Sequence, residues 1–361
     1  MGCKPSRGEQ GKYKGESSTT AKDEPAGLSL LEVPADDYVS SICGFGNSHF
    51  AVAGAEGWLY LYDSQALCLA SKTHAHKKAV NKVLAGPGGS IFTGSTDATA
   101  RLWRHENVNE GASLVQTFEG HQMSVSTVDV VDDWSVAGQT TTSTGGALLT
   151  GSRDCSLRLW DVESGRTLQQ NKILRNVVTA VRRVPNGPAG ASTLVQASED
   201  LQLRLWDLRA GLGKGPAMAV RAGPNLMLCL DVAEDGSWVA CGSKGFSREN
   251  CEVKLFDLRG GLRELAALPT ADQTLEALRC VGPDRCLTAS KDGYLRALAV
   301  PEPELLSEHR GAGTDAYTAL GVIGGEAPRA MAAWTGPGGV GLEILAWPDS
   351  LASPPTLLAS T

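Results

Sequence analysis

The feature that most constrains this chain is a phrase that keeps returning. It reads TGSTDATARLW at 93–103, TGSRDCSLRLWD at 150–161 and QASEDLQLRLWD at 196–207, and in each copy an Asp stands six residues before a Trp. Looser copies are AGAEGWLYLYD ending at Asp63, ENCEVKLFD ending at Asp257 and TASKDGYLRAL from Thr288 to Leu298, and AAWTGPGGVGLEIL is a fainter seventh. Successive copies end about 41 to 57 residues apart. That interval holds four short strands with their turns, a unit too small to bury its own apolar faces, so neighbouring units must stack.

The phrase resembles the WD repeat, and the resemblance covers about residues 28–348. It implies an all-β, seven-bladed β-propeller, flanked by a disordered tail at 1–27 and a C-terminal tail at 349–361. Length alone, 361 residues, would suggest two or three domains, yet a closed ring holds this many in one unit. The 42 glycines and 17 prolines supply its turns. LSLLEV at 28–33 has the length and composition of an outer strand that would complete the last blade and seal the ring.

In a WD repeat, a histidine from the loop entering the blade, an aspartate in a tight turn, a Ser or Thr on one strand and a Trp on the next form one hydrogen-bonded set. By that resemblance the second blade uses His76, Thr93, Asp97 and Trp103, the third uses His121, Thr150, Asp154 and Trp160, and Asp200 and Trp206 mark the fourth. Buried without partners such groups are costly, whereas a satisfied set locks turn and register. The same trio could be read as a nucleophilic centre with a threonine hydroxyl. It recurs blade by blade, however, and Trp occupies the place a substrate needs, so the expectation is structural and non-enzymatic. Leu174 stands where the fourth blade wants histidine, and Phe256 and Leu298 replace Trp in the fifth and sixth, so these blades are expected to rely on apolar packing.

The chain opens MGCKPS. After removal of Met1, Gly2 and Ser6 have the spacing that N-myristoyl transfer requires, and Cys3 beside the acceptor suits palmitoylation. One myristoyl chain binds membranes only at about 10⁴ M⁻¹, so a second signal is needed. Lys4, Arg7, Lys12 and Lys14 are diluted by Glu9 and Glu16, which leaves the Cys3 thioester as that signal. The tail is poor in apolar residues and acts as a flexible tether of roughly 25 to 30 Å.

Net charge of −7 argues against nucleic acid as a partner, and no run of 18 apolar residues offers a spanning helix. The nine cysteines contain no CxxC pair and read as reduced thiols, with no metal or other cofactor expected. Glycine-rich PAGA and GPGG lack the strand and helix of a phosphate loop and read as turns. What remains is a monomeric binding scaffold with protein partners and no small-molecule substrate.

Recognition is expected in the long inserts at 138–146, 184–191 and 244–250, where exposed loops ride on a rigid frame, although each has as good a claim to be a solvated insert. Lys244, Phe246 and Arg248, an aromatic between cations, are the best small hot spot. Within the WD-repeat family, GSRDCSLRLWDVESG, LRNVVTAVRRVP, SEDLQLRLWD and SKGFSRENCEVKLFDLR resemble a ciliary member that also has a myristoylation-type start. That resemblance implies a role near lipid-anchored regulators of small GTPases and intraflagellar traffic, at the cytoplasmic face of a ciliary or flagellar membrane. The chain departs from it at Cys3 and in the insert GQTTTSTGG. A different class stays open. Trp206-Asp207-Leu208-Arg209 matches the WDxR submotif of substrate receptors for cullin-RING ubiquitin ligases, and Phe256-Asp257-Leu258-Arg259 is a near copy. The plain alternative is that Arg209 and Arg259 each pair with the preceding Asp.

Overall fold

Each strong copy of the phrase folds as two strands joined by a turn that its aspartate holds. In the third copy, Ala147–Ser152 and Ser156–Asp161 pair antiparallel, and Cys155 between them is left-handed at φ 68°. The Asp154 carboxylate accepts the Ser156 N–H at 2.9 Å and so offsets the strain of a non-glycine residue there. Ala98 and Leu201 repeat the conformation beside Asp97 and Asp200, with Thr99 N–H at 3.0 Å and Gln202 N–H at 3.2 Å.

The computed structural model describes residues 37–105, 108–131, 146–185, 192–302, 304–324, 328–348 and 351–360. They form seven four-stranded antiparallel sheets, each made of strands consecutive in the chain, and no α-helix is among them. The first strand of each sheet is innermost. These are Val39–Phe45, Val80–Ala85, Val125–Val131, Val178–Arg183, Met227–Val232, Leu275–Cys280 and Ala316–Ile323, and each packs against the next around a closed ring. Second strands such as Ser90–Ser95 and Ala147–Ser152 are buried along their whole length, whereas the outermost, such as Thr167–Lys172, are mostly open to solvent.

A belt of hydrogen bonds stitches the innermost strands together. The side chain of the second residue of one strand, or the third in the case of Thr318, donates to the first carbonyl of the next: Ser40 to Val80, Asn81 to Val125 at 2.8 Å, Ser126 to Val178, Thr179 to Met227 at 2.7 Å and Thr318 back to Val39 at 2.9 Å. The glycine of the TGS phrase serves the same seams. A Cβ at Gly151 would lie 2.5 Å from Val178 Cγ1, and one at Gly94 would lie 2.8 Å from Val125 Cγ1, so the missing side chain admits the valine of the following blade.

The expected closing strand at 28–33 lies outside the described residues. The position it was to fill is taken by the other end of the chain: Thr356–Ser360 is the outermost strand of the seventh blade, paired along Gly339–Ala346. The expected tail at 349–361 therefore contains a strand, and Ala359 is buried in the core that joins the seventh blade to the first. Gly2, Cys3, the insert at 138–145 and residues 186–191 also lie outside the described residues.

Antiparallel strands in chain order fix the two ends of the ring. Loops entering a blade share one end with the turns between second and third strands, as the His76–Asp97 contact confirms. The other end carries the turns between third and outermost strands, which hold Arg209 and Arg259.

Candidate functional site

In the second blade, the Trp103 indole N–H donates to Thr93 Oγ1 at 2.9 Å, that hydroxyl is 2.7 Å from His76 Nε2, and His76 Nδ1 is 3.0 Å from Asp97 Oδ2. The third blade repeats this with Trp160 to Thr150 at 2.8 Å, Thr150 to His121 at 2.7 Å and His121 to Asp154 at 2.9 Å. A neutral imidazole satisfies every group in order: indole to hydroxyl, hydroxyl to Nε2, Nδ1–H to carboxylate. Burial pushes His76 below the usual histidine range, with Asp97 opposing. For Asp97 and Asp154 burial acts upward, but hydrogen bonds from His76 and Thr99, or from His121 and Ser156, outweigh it and hold both carboxyls well below the ordinary range.

This order of groups is that of a Thr-His-Asp nucleophilic triad. Access decides against it, because Thr93 and Thr150 are 0% exposed and each hydroxyl oxygen already carries an indole N–H. Among the described residues no group of His, Cys, Asp and Glu could hold a metal ion. The eight described cysteines are free, and burial pushes the Cys229 and Cys286 thiols up to about 12, which leaves them protonated and inert.

The fourth blade solves the same problem with other residues. Trp206 donates to Gln196 Oε1 at 2.8 Å, and Arg204 bonds both Asp200 and, at 3.0 Å, Asn176 Oδ1. Leu174 is not in the set but points out at 80% exposure, and Asn176, two residues on, takes the polar role of the entering loop. Blade six uses an ion pair in the same place, Arg296 to Asp292 at 2.9 Å, both side chains buried, so it does not rely on apolar packing alone. In the fifth, Phe256 is buried in the core as expected. Arg101 and Arg158 stand at the same place in blades two and three, two residues before Trp, so that position alone does not mark the Arg variants.

Lys244, Phe246 and Arg248 lie together in the turn of the fifth blade. Phe246 is 73% exposed, and Arg248 Nε reaches Asp272 Oδ1 at 2.7 Å. The turn is anchored by Gly245 N–H on Thr274 Oγ1 at 3.3 Å and by a bridge from Phe246 to Gln273. Tyr38, Met123 and Leu174, also exposed, sit at this same end of the ring, in or beside loops that enter blades one, three and four. Arg209 and Arg259 belong to the opposite end. Arg209 closes on Asp207 with two contacts of 3.2 Å, and Arg259 reaches Asp235 at 3.4 Å rather than its own Asp257.

The sequence profile of the WD40 family (WD domain, G-beta repeat) matches residues 67–104 and 112–161, which are the blades with complete polar sets. Over 119 residues the chain is 34% identical to Nuclear distribution protein nudF 2 of Aspergillus clavatus, a match covering 32% of this chain and 24% of that protein. It is 32% identical over 124 residues to Nuclear distribution protein PAC1 of Zygosaccharomyces rouxii, covering 33% and 27%. With F-box/WD repeat-containing protein 4 of Homo sapiens it shares 30% over 153 residues, covering 40% and 34%. The chain thus spans about a quarter to a third of the length of these relatives.

Proposed function

We propose that this propeller is a non-enzymatic scaffold for protein-protein interaction, held at the cytoplasmic face of a membrane by acyl chains on Gly2 and Cys3. The observation that carries the scaffold reading is the gathering of Tyr38, Met123, Leu174 and Phe246 at one end of a ring whose polar sets are sealed inside. Solvent-exposed apolar side chains carried at one end of a rigid frame offer a contact surface. Lys244 and Arg248 flank Phe246, so an apolar segment bearing acidic residues is the partner chemistry that fits.

The membrane half rests on the spacing of Gly2, Cys3 and Ser6, and the setting on the likeness of four stretches to WD repeat-containing protein 31: ciliary or flagellar membrane traffic, or regulation linked to small GTPases. Affinity capture of the full-length acylated protein, with mass spectrometry of its N-terminal peptide, tests both halves. Gly2→Ala should move the protein from the membrane pellet to the soluble fraction. An unchanged pellet fraction removes the anchor, and an unmodified N-terminal peptide does the same.

A second reading is a substrate receptor of a cullin-RING ubiquitin ligase. It is favoured by the likeness to an F-box/WD repeat-containing protein and by Arg209 and Arg259, both exposed at the same end of the ring. Loss of adaptor capture on changing both arginines to Ala supports it, and absence of capture by the wild type retires it.

A further inference from the structure

The geometry points to a binding site for one small tetrahedral oxyanion, such as phosphate or sulfate, inside the ring, held by Lys82, Arg182 and Arg279. The axial cavity has a volume of about 120 Å³ and takes lining residues from all seven innermost strands. That room suits a few waters or one oxyanion and is too small for a folded ligand. Three cationic side chains enter it, from blades two, four and six.

The acids nearby are largely committed elsewhere. Asp231 accepts Arg182 Nε at 3.0 Å and the Cys280 N–H at 3.0 Å. Glu276 also lines the cavity, and its carboxylate is paired with Lys291 at 3.0 Å. Asp129 takes the Arg183 and Val130 N–H groups at 2.6 and 2.8 Å, and burial pushes its carboxyl up, toward the neutral form. Arg279 donates only to carbonyls, Leu278 O at 2.9 Å and Ile42 O at 3.2 Å, and among the described residues no carboxylate lies within ion-pairing distance of Lys82. Lys82 and Arg279 therefore face the cavity without a carboxylate in direct contact, and Asp231 acts on both only from farther away. Burial and the Arg279 and Arg182 guanidiniums hold the Lys82 ammonium well below the usual lysine range, the condition that an added negative charge relieves. Hydroxyls of Ser41 and Thr127 also line the space. Guanidinium and ammonium donors converging in a confined space are the chemistry that holds a tetrahedral oxyanion.

The test uses the full-length protein and inorganic phosphate, followed by phosphorus NMR line broadening and by titration calorimetry, with sulfate as competitor. The expected result is one phosphate per chain, displaced by sulfate and weakened at least tenfold in Lys82→Met. Arg279→Gln, at another point of the cavity, should weaken it similarly. Arg104→Gln, on an exposed strand end, serves as the control and should leave binding unchanged. No binding to folded wild type at millimolar phosphate overturns the site, as does equal affinity in Lys82→Met. The wild-type measurement decides the matter even where a variant fails to fold.

Discussion

The Trp160 indole N–H rests on Thr150 Oγ1 at 2.8 Å, and through that one hydroxyl two strands of the third blade are tied to the loop that enters it. Removing the hydroxyl in Thr150→Val leaves both the indole N–H and His121 Nε2 without partners, at about 1 to 3 kcal/mol each. Trp160→Ala empties a site with almost no exposure and should cost about 3 to 5 kcal/mol. Urea unfolding followed by tryptophan fluorescence and circular dichroism reads both. A midpoint equal to wild type in Thr150→Val would contradict the relay.

Acid should weaken the ring in two stages. His76 is held below the usual histidine range by burial, so the folded state disfavours its protonation, and its contribution is complete above about pH 6.5 and lost as pH falls below that. Asp97 and Asp154 are also depressed, despite burial, by their hydrogen bonds, so their contribution is complete above about pH 4 and is lost on further acidification. Urea midpoints between about pH 8 and pH 3 should show both declines, with Asp97→Asn reducing the second. A midpoint flat from about pH 7.5 to 5 counts against the His76 stage.

Much of the fold is legible in the sequence because it rests on local chemistry. The Asp-to-Trp interval sets the turn and the register of two strands, and the polar sets of blades two and three follow residue for residue. What escapes is non-local. Nothing beside Asn176 or Gln196 says that they replace histidine and threonine, because their partners Arg204 and Trp206 lie across the blade. The belt from Ser40 to Thr318 is spread over six strands, one donating side chain in each of five, with no short motif to show it. TLLAS near the C-terminus is too brief to read as a strand until the unpaired edge of Gly339–Ala346 requires one. The exposure of Phe246 is legible in its long turn, whereas the place of Met123 and Leu174 at the same end is not, because only the closed ring brings their loops there.

Gly151→Val tests the seam between blades three and four. Its Cβ would fall 2.5 Å from Val178 Cγ1 and 2.8 Å from Thr127 Cγ2, in a strand buried along its whole length, so one of the strands must shift. Overpacking of this kind costs about 1 to 3 kcal/mol. Val178→Ala in the same chain should return part of the loss, as measured by thermal unfolding. An additive double variant would show that the two side chains do not compete for one space.

Ending the chain after residue 355 removes Thr356–Ser360, opens the edge of Gly339–Ala346 and takes Ala359 from the core shared by the seventh and first blades. The shortened protein should melt lower and associate through the exposed edge, read by scanning calorimetry and light scattering. Wild-type melting and a monomeric profile would mean that another segment covers that edge.

Phe246→Asp separates contact from stability. The ring is 73% exposed, and its turn is fixed by backbone groups of Gly245 and Phe246 itself, not by the aromatic side chain. An exposed substitution of this kind should change stability by no more than about 0.5 kcal/mol. Association with an apolar, acidic partner should nonetheless fall sharply, because the variant removes the anchor and adds a charge of the partner's own sign between Lys244 and Arg248. Leu174→Asp, in a loop at the same end, should act in the same direction, while the Arg209→Ala and Arg259→Ala pair at the opposite end should leave that association intact. Capture of the same partners by Phe246→Asp at wild-type yield would place the contact surface elsewhere on the ring.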